Sequence, residues 1–405
     1  MGLCAPFKSR LRARCEAAYA WLCQRRKDAG PHHDVWRVRE RWETLRGSIL
    51  KRLRAGLYRL SPVSMADGRD GKRFECWEGE DAVVLKMLSS SLEPVLTARL
   101  SEHCHHLPGR GGCKGAVVAV REALATGRYP FVLRSDARGY YANIRHTQLL
   151  EQLRRHVDDP VILDLVSQYC ERTTVHRGHY KRAERGIPLG CSLSPLMGAL
   201  YLDPLDRALE NLPGVRYVRF MDDWIVLAES RWKLRRAVKV MNAVLAELHL
   251  EQHPDKTFIG RVERGFDFLG FDFSPAGVTG SSERSEARYT ENISRLYEQG
   301  ASEERVERYR QNWLRWRRGI LGAKRPANPP EGPPTLPVPS QVHAYGYVPV
   351  SPYILRIPTN RMRLATHHPQ KKRNEKDTKQ KQKFKKQPIS TSRQLSKRRR
   401  LCGCD

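Results

Sequence analysis

Two adjacent acids, Asp222 and Asp223, stand in the stretch YVRFMDDWIVL (217–227), with apolar runs on both sides. Neighbouring carboxylates repel, and each disfavours ionisation of the other. Cations that neutralise them would explain the pair. Hard oxygen ligands suit magnesium, which takes a few carboxylates together with substrate phosphates. A third acid, Asp136, ends the apolar run YPFVLRSD (129–136). Two magnesium ions about 3.5–4 Å apart, held between Asp136 and Asp222, would clamp an in-line phosphoryl transfer. One would lower the pKa of the attacking hydroxyl, and the other would neutralise the leaving pyrophosphate. A bare pair of aspartates is more often a solvated loop, so the surrounding elements decide.

Those elements are consistent with a presented pair. Residues 215–221 and 224–228 read as a hairpin with the acids at its tip. FVLRSD reads as a buried strand delivering Asp136 at its carboxyl end, and helices follow over 146–157 and 159–173. Ile162, Leu165, Val166 and Tyr169 form one stripe of the second helix. In GCSLSPLMGAL the pattern predicts a helix capped by Ser194 and opened by Pro195. Leu234, Val238, Met241, Leu245 and Leu248 share one face of a helix over 231–250, and GFDFLGFDF (265–273) reads as a strand pair.

Upstream, residues 8–58 read as basic helices, and 61–75 as a hairpin around DGRDG with Lys72 and Arg73 near its second strand. Residues 80–106 and 113–126 read as helical. A basic helix spans 302–318, capped by Ser302 and ended by Gly319. Val306, Tyr309, Trp313 and Trp316 lie along one side of it. Beyond 322 come ANPPEGPPTLPVPS and lysine-rich runs, expected to be a linker and a disordered tail.

The 405 residues carry a net charge of +29. From Leu321 onward there are 19 Lys/Arg and 4 Asp/Glu, and the remainder carries 54 basic and 40 acidic residues. Both parts are basic, which points to a polyanionic partner. No run approaches the roughly 18–20 apolar residues of a membrane helix, and the first residues lack a signal core. We therefore expect a cytoplasmic protein without a membrane partner. The ten cysteines follow no framework, so free thiols are expected. The cluster HCHHLPGRGGC (103–113) fits no standard zinc spacing.

Taken in order, Asp136 with YYANI, RGIPLGCSLSPL, MDD, LHLEQHPDKTFIG and GFDFLGF resemble a reverse transcriptase of the bacterial group II intron and retron type. The resemblance covers about residues 55–320. It implies an α+β, right-hand polymerase fold. Residues 1–58 would be a basic helical extension, 59–128 the fingers, and 129–275 the palm with a fingers insertion at about 159–190. Residues 276–322 would form a helical thumb, and 323–405 a proline-rich, basic tail. The implied reaction extends the 3′-hydroxyl of a DNA or RNA primer with dNTPs on an RNA template, using two Mg2+ ions.

Residue by residue, Asp136 and Asp222 match the metal-binding aspartates, Asp223 the second acid of the box, and Ala137 the main-chain ligand. Tyr141 matches the aromatic gate that excludes a 2′-hydroxyl. Gly190 matches the glycine that lets backbone approach the nascent pair. Arg73, assisted by Lys72, matches the grip on the triphosphate, and Lys256 the lysine that protonates pyrophosphate. GFDFLGF resembles the primer grip. Three positions depart from the pattern. Phe220 replaces tyrosine at the start of the box, Leu189 replaces glutamine, and Ala82 follows Asp81 where relatives carry arginine. The alternative is a catalytically idle, basic RNA-binding protein derived from such an enzyme. A mobile-element enzyme and a phage-defence enzyme would share this core, and oligomeric state is not legible.

Overall fold

A computed structural model describes residue 7 and residues 10–67 and 73–322. The chain begins with three helices: α1 (Leu11–Arg25), α2 (Val35–Glu40) and α3 (Trp42–Ala55). Their apolar stripes, including Leu11, Leu22, Val38, Ile49 and Leu53, are buried. The expected hairpin follows as β1 (Val63–Asp67) and β2 (Arg73–Cys76), antiparallel, with its turn outside the described residues. Helix α4 (Gly79–Thr97) buries Asp81 in its first turn. The Asp81 carboxylate accepts hydrogen bonds from Tyr58 Oη (2.9 Å) and Ser61 N (2.9 Å), fastening the 58–61 connection to the helix.

The helix expected over 80–106 stops at Thr97. Residues 103–105 instead pair with a strand. His105 N donates to Arg219 O at 2.8 Å and Arg219 N to His103 O at 2.9 Å. Backbone groups spent on another strand are not available for a helix. Helix α5 (Gly112–Ala125) follows as read.

The central sheet begins with β3 (Phe131–Asp136). Helices α6 (Tyr140–Asn143), α7 (His146–Arg154) and α8 (Pro160–Cys170) come next. The hairpin of β4 (Thr173–His176) and β5 (His179–Arg182) then joins the first hairpin, β1 pairing parallel to β4. Helix α9 (Ser194–Tyr201) starts one residue earlier than read. Ser194 is therefore inside the helix rather than its cap, and its hydroxyl donates to Pro188 O at 2.6 Å. After α10 (Asp203–Glu210), strands β6 (Val215–Phe220) and β7 (Asp223–Ala228) form the expected hairpin. Helix α11 (Arg231–Glu247) and β8 (Phe258–Arg261) complete the layer. The strand order is β6-β7-β3-β8, antiparallel throughout.

This sheet is buried on both faces, which is why WIVLA reads as an unbroken apolar run. Leu133, Tyr217, Trp224 and Val226 belong to one core with Leu234, Ala237 and Met241 of α11. Val132, Val218, Ile225 and Leu227 belong to a second core with Val117 and Val120 of α5. The second core also takes residues of a small sheet, β9 (Phe266–Phe268), β10 (Phe271–Ser274) and β11 (Gly277–Ser281).

Helices α12 (Glu283–Glu298) and α13 (Glu303–Leu321) follow. The α13 stripe packs on protein: Trp313 stacks on Tyr289 at 4.2 Å and Trp316 lies 4.5 Å from Phe271. Contrary to expectation, α13 runs through Gly319 and ends before Gly322. Ile320 is buried in the second core. Burying it is worth about 1.5–3 kcal/mol, more than the roughly 1 kcal/mol that glycine costs inside a helix. Ser302 stands at the N-cap position, but its side chain makes no capping hydrogen bond.

Candidate active site

The β6–β7 turn has two residues, Met221 and Asp222, closed by the pair Phe220 and Asp223. Met221 takes φ +58°, the left-handed conformation that tight hairpins require and that a side chain disfavours. The turn is tied to the end of β3, where Ala137 N donates to Asp222 O at 3.2 Å. Across the strands Asp136 lies directly opposite Asp223, so both point from the same face. Asp136 and Asp222 are buried. The three acids therefore meet at one end of the sheet.

The HPDKT segment wraps the same end. His253 N donates to Asp136 O at 2.8 Å, and a 3-10 turn (Pro254–Lys256) sets Lys256 against the sheet. Lys256 Nζ donates to Asp136 Oδ2 at 2.8 Å, both groups being buried. On the same face, Arg134 pairs with Asp267 at 3.0 Å. Burial, then the charges of Asp136 and Asp222, push the Asp223 carboxyl up to about 7, against the opposing pull of Arg134 and Lys256. Among the described residues, Asp136 Oδ1 and Asp223 Oδ1 are buried with no hydrogen-bond partner. Carboxylate oxygens left in this way suit a hard divalent cation. The side chains are not drawn into a closed cage: among the described residues no three acidic, histidine or cysteine groups form a ready ligand set.

Tyr141 lies on the one-turn helix α6, opened by Gly139 at φ +56°. Its hydroxyl is buried without a partner among the described residues, and burial and the Asp222 charge raise its pKa. Gly198 of α9 makes the room: a Cβ there would stand 2.9 Å from the Tyr141 ring and 3.3 Å from that of Tyr140. Gly190 adopts φ +82° and is exposed, as is Leu189 beside it (54 % exposed), while Pro188 is buried. Arg73 opens β2, but its side chain, like the whole of Lys72, lies outside the described residues.

Two features escaped sequence reading. His106 sits over the turn, accepting from Met221 N at 3.0 Å through Nδ1. Arg219, fully buried, donates to Met221 O at 2.8 Å through Nη1 and forms an ion pair with Asp206. A signal for the second existed: Arg219 shares the inward phase of Tyr217 along β6, and an arginine there needs a buried acid.

An antiparallel sheet packed by α11 on one face and by α5 and the small sheet on the other, with acids at a two-residue turn, has the α+β architecture expected of a polymerase palm. Residues 80–273 match the family model described as reverse transcriptase (RNA-dependent DNA polymerase). The match covers 194 of the 405 residues, and the similar curated proteins include a group II intron-encoded protein. The Escherichia coli protein YkfC is 24% identical over 35% of this chain and 46% of its own length. The Lactococcus lactis group II intron-encoded protein LtrA is 21% identical over 33% of this chain and 22% of its own. The Saccharomyces cerevisiae putative COX1/OXI3 intron 1 protein is 22% identical over 51% and 25%. The chain thus spans less than half the length of these relatives.

Among solved structures, apo telomerase from Candida tropicalis aligns at TM-score 0.40 and 16% identity, over 50% of this chain and 41% of that one. A partial Cas6-RT-Cas1–Cas2 complex aligns at 0.38 and 20%, over 60% and 40%. No helix among the described residues is long and apolar enough to cross a membrane.

Proposed function

We propose that the protein is an RNA-directed DNA polymerase that extends a primer 3′-hydroxyl with dNTPs on an RNA template. The observation that carries this is the meeting of Asp136, Asp222 and Asp223 at the end of one sheet, with two buried carboxylate oxygens that have no hydrogen-bond partner among the described residues. Asp136, Asp222, Asp223 and the Ala137 carbonyl would hold magnesium, which when bound lowers the pKa of the attacking hydroxyl and neutralises pyrophosphate. The residues of the chain do the rest. Tyr141, beside Asp222, lies under the sugar and excludes a 2′-hydroxyl. Gly190 lets backbone approach the new base pair. Arg73 and Lys72 grip the triphosphate, and Lys256, held at Asp136, supplies a proton to the leaving group.

In this reading 59–128 act as fingers, 129–275 as palm and 276–322 as thumb, with 1–58 adding basic surface for RNA. The tail beyond 322 extends that charge.

The test is extension of a DNA primer on an RNA template with dNTPs and Mg2+. Wild type extends it. Asp222→Asn and Asp136→Asn each lose several kcal/mol of metal-dependent stabilisation, hence about 10³-fold in rate, while RNA binding persists. Wild type that binds RNA tightly yet never extends a primer would establish the idle RNA-binding alternative instead.

A further inference from the structure

The turn carrying Asp222 is strained, and its backbone is gripped from two sides. Met221 is neither glycine nor asparagine, so its left-handed φ persists only where the surroundings impose it. Its N–H donates to His106 Nδ1 at 3.0 Å, and its carbonyl accepts from Arg219 Nη1 at 2.8 Å. Each grip is itself anchored. Because Nδ1 accepts, the imidazole proton sits on Nε2, which donates to Pro195 O at 3.1 Å at the start of α9. The ring also lies edge-on to Phe220 at 6.1 Å. Arg219 Nε donates to Asp206 Oδ1 at 2.6 Å, and Tyr217 Oη donates to the same oxygen at 2.7 Å. The loop bearing His106 is stapled to β6 through His103 and His105.

We infer that His106 and the Arg219–Asp206 pair are positioning residues that hold the Met221–Asp222 turn in its left-handed form and so set where the Asp222 carboxylate stands. This rests on the polymerase reading above. A core histidine satisfied for its own sake would bond to whatever carbonyl was near. Here both grips fall on Met221, whose φ is positive and which stands next to the acid. Burial, and then the charge of Arg219, push the imidazole down to about 3, so the ring stays neutral and its tautomer fixed across the working pH range. The Cys104 thiol lies 3.4 Å from Nδ1 and does not displace the Met221 bond.

Variants at Arg219 or Asp206 leave a buried charge unpaired and report on folding, so the test uses His106. His106→Phe keeps the ring and its contact with Phe220 but removes the acceptor. His106→Asn returns an acceptor near the Nδ1 position. Two readouts are taken: single-turnover primer extension, and hydrogen exchange of the Met221 amide, which needs no catalysis. In His106→Phe the extension rate falls about 10–100-fold, as for a misplaced reacting group. Template–primer affinity stays within about twofold, and Met221 exchanges at least about tenfold faster than in wild type. His106→Asn restores most of both.

The proposal is overturned if His106→Phe extends within about twofold of wild type. It is overturned equally if Met221 stays protected in that variant, or if His106→Asn protects Met221 fully yet remains as slow as His106→Phe. Failure of wild type to extend any primer would sink the polymerase reading alone. Exchange at Met221 would then decide the clamp, loosening in His106→Phe supporting it and unchanged protection overturning it.

Discussion

At the scale of single residues, the acids were legible because each sits where a pattern breaks. Asp136 ends an apolar run, and Asp222 and Asp223 interrupt another. Tyr141 is more deeply placed than its spacing alone implied: its hydroxyl is buried beside Asp222, in room that Gly198 vacates. If the ring is the sugar gate, Tyr141→Ala raises ribonucleotide use relative to deoxynucleotide use by roughly 10²-fold, the discrimination one well-placed contact supplies. The ratio of kcat/KM for the two nucleotides measures it, and a wild type indifferent to the 2′-hydroxyl ends the gate reading. His106 was not legible. Its partner Met221 lies 115 positions away, and nothing in HCHHLPGRGGC announces a hairpin that has yet to be written.

At the scale of elements, the strongly periodic segments formed as read, and the misreadings share a cause. The helix expected to 106 stopped at Thr97, and that expected to stop at Gly319 ran on to Leu321. In each case a tertiary partner, the β6 edge or the buried Ile320, outweighed local preference. Asp81 is a similar case. Sequence marked it only by the missing arginine after it, yet it fastens α4 to the 58–61 connection. Burial raises its carboxyl from 3.8 to about 6. A carboxyl that titrates higher when folded contributes stability that is complete below its unfolded pKa and is lost as pH rises through the folded value. The loss therefore falls between about pH 4 and 6 and is on the order of 3 kcal/mol. Urea unfolding at both ends of that window should show wild type losing stability relative to Asp81→Asn, which carries no such proton. Parallel curves would mean that Asp81 titrates as an ordinary surface acid.

At the scale of the whole molecule, charge is the dominant property. A net charge of +29 on 405 residues predicts an RNA affinity governed by counterion release. Between about 50 and 200 mM salt it should fall about 10³-fold or more if six or more phosphates are neutralised. Filter binding across that range measures it, and a flat response would remove the polyanion reading. The order of strands in the central sheet carries a different consequence. Strand β3 lies between β7 and β8, yet both neighbours come later in the chain, beginning at residues 223 and 258. As the polypeptide leaves the ribosome, β3 emerges with neither flank covered and waits for nearly ninety residues of synthesis. Its first partner can dock only after α9 and α10 have been made. The catalytic layer thus closes late and by long-range pairing, the slowest kind. A nascent chain paused before β7 would expose an apolar strand to its neighbours on the polysome.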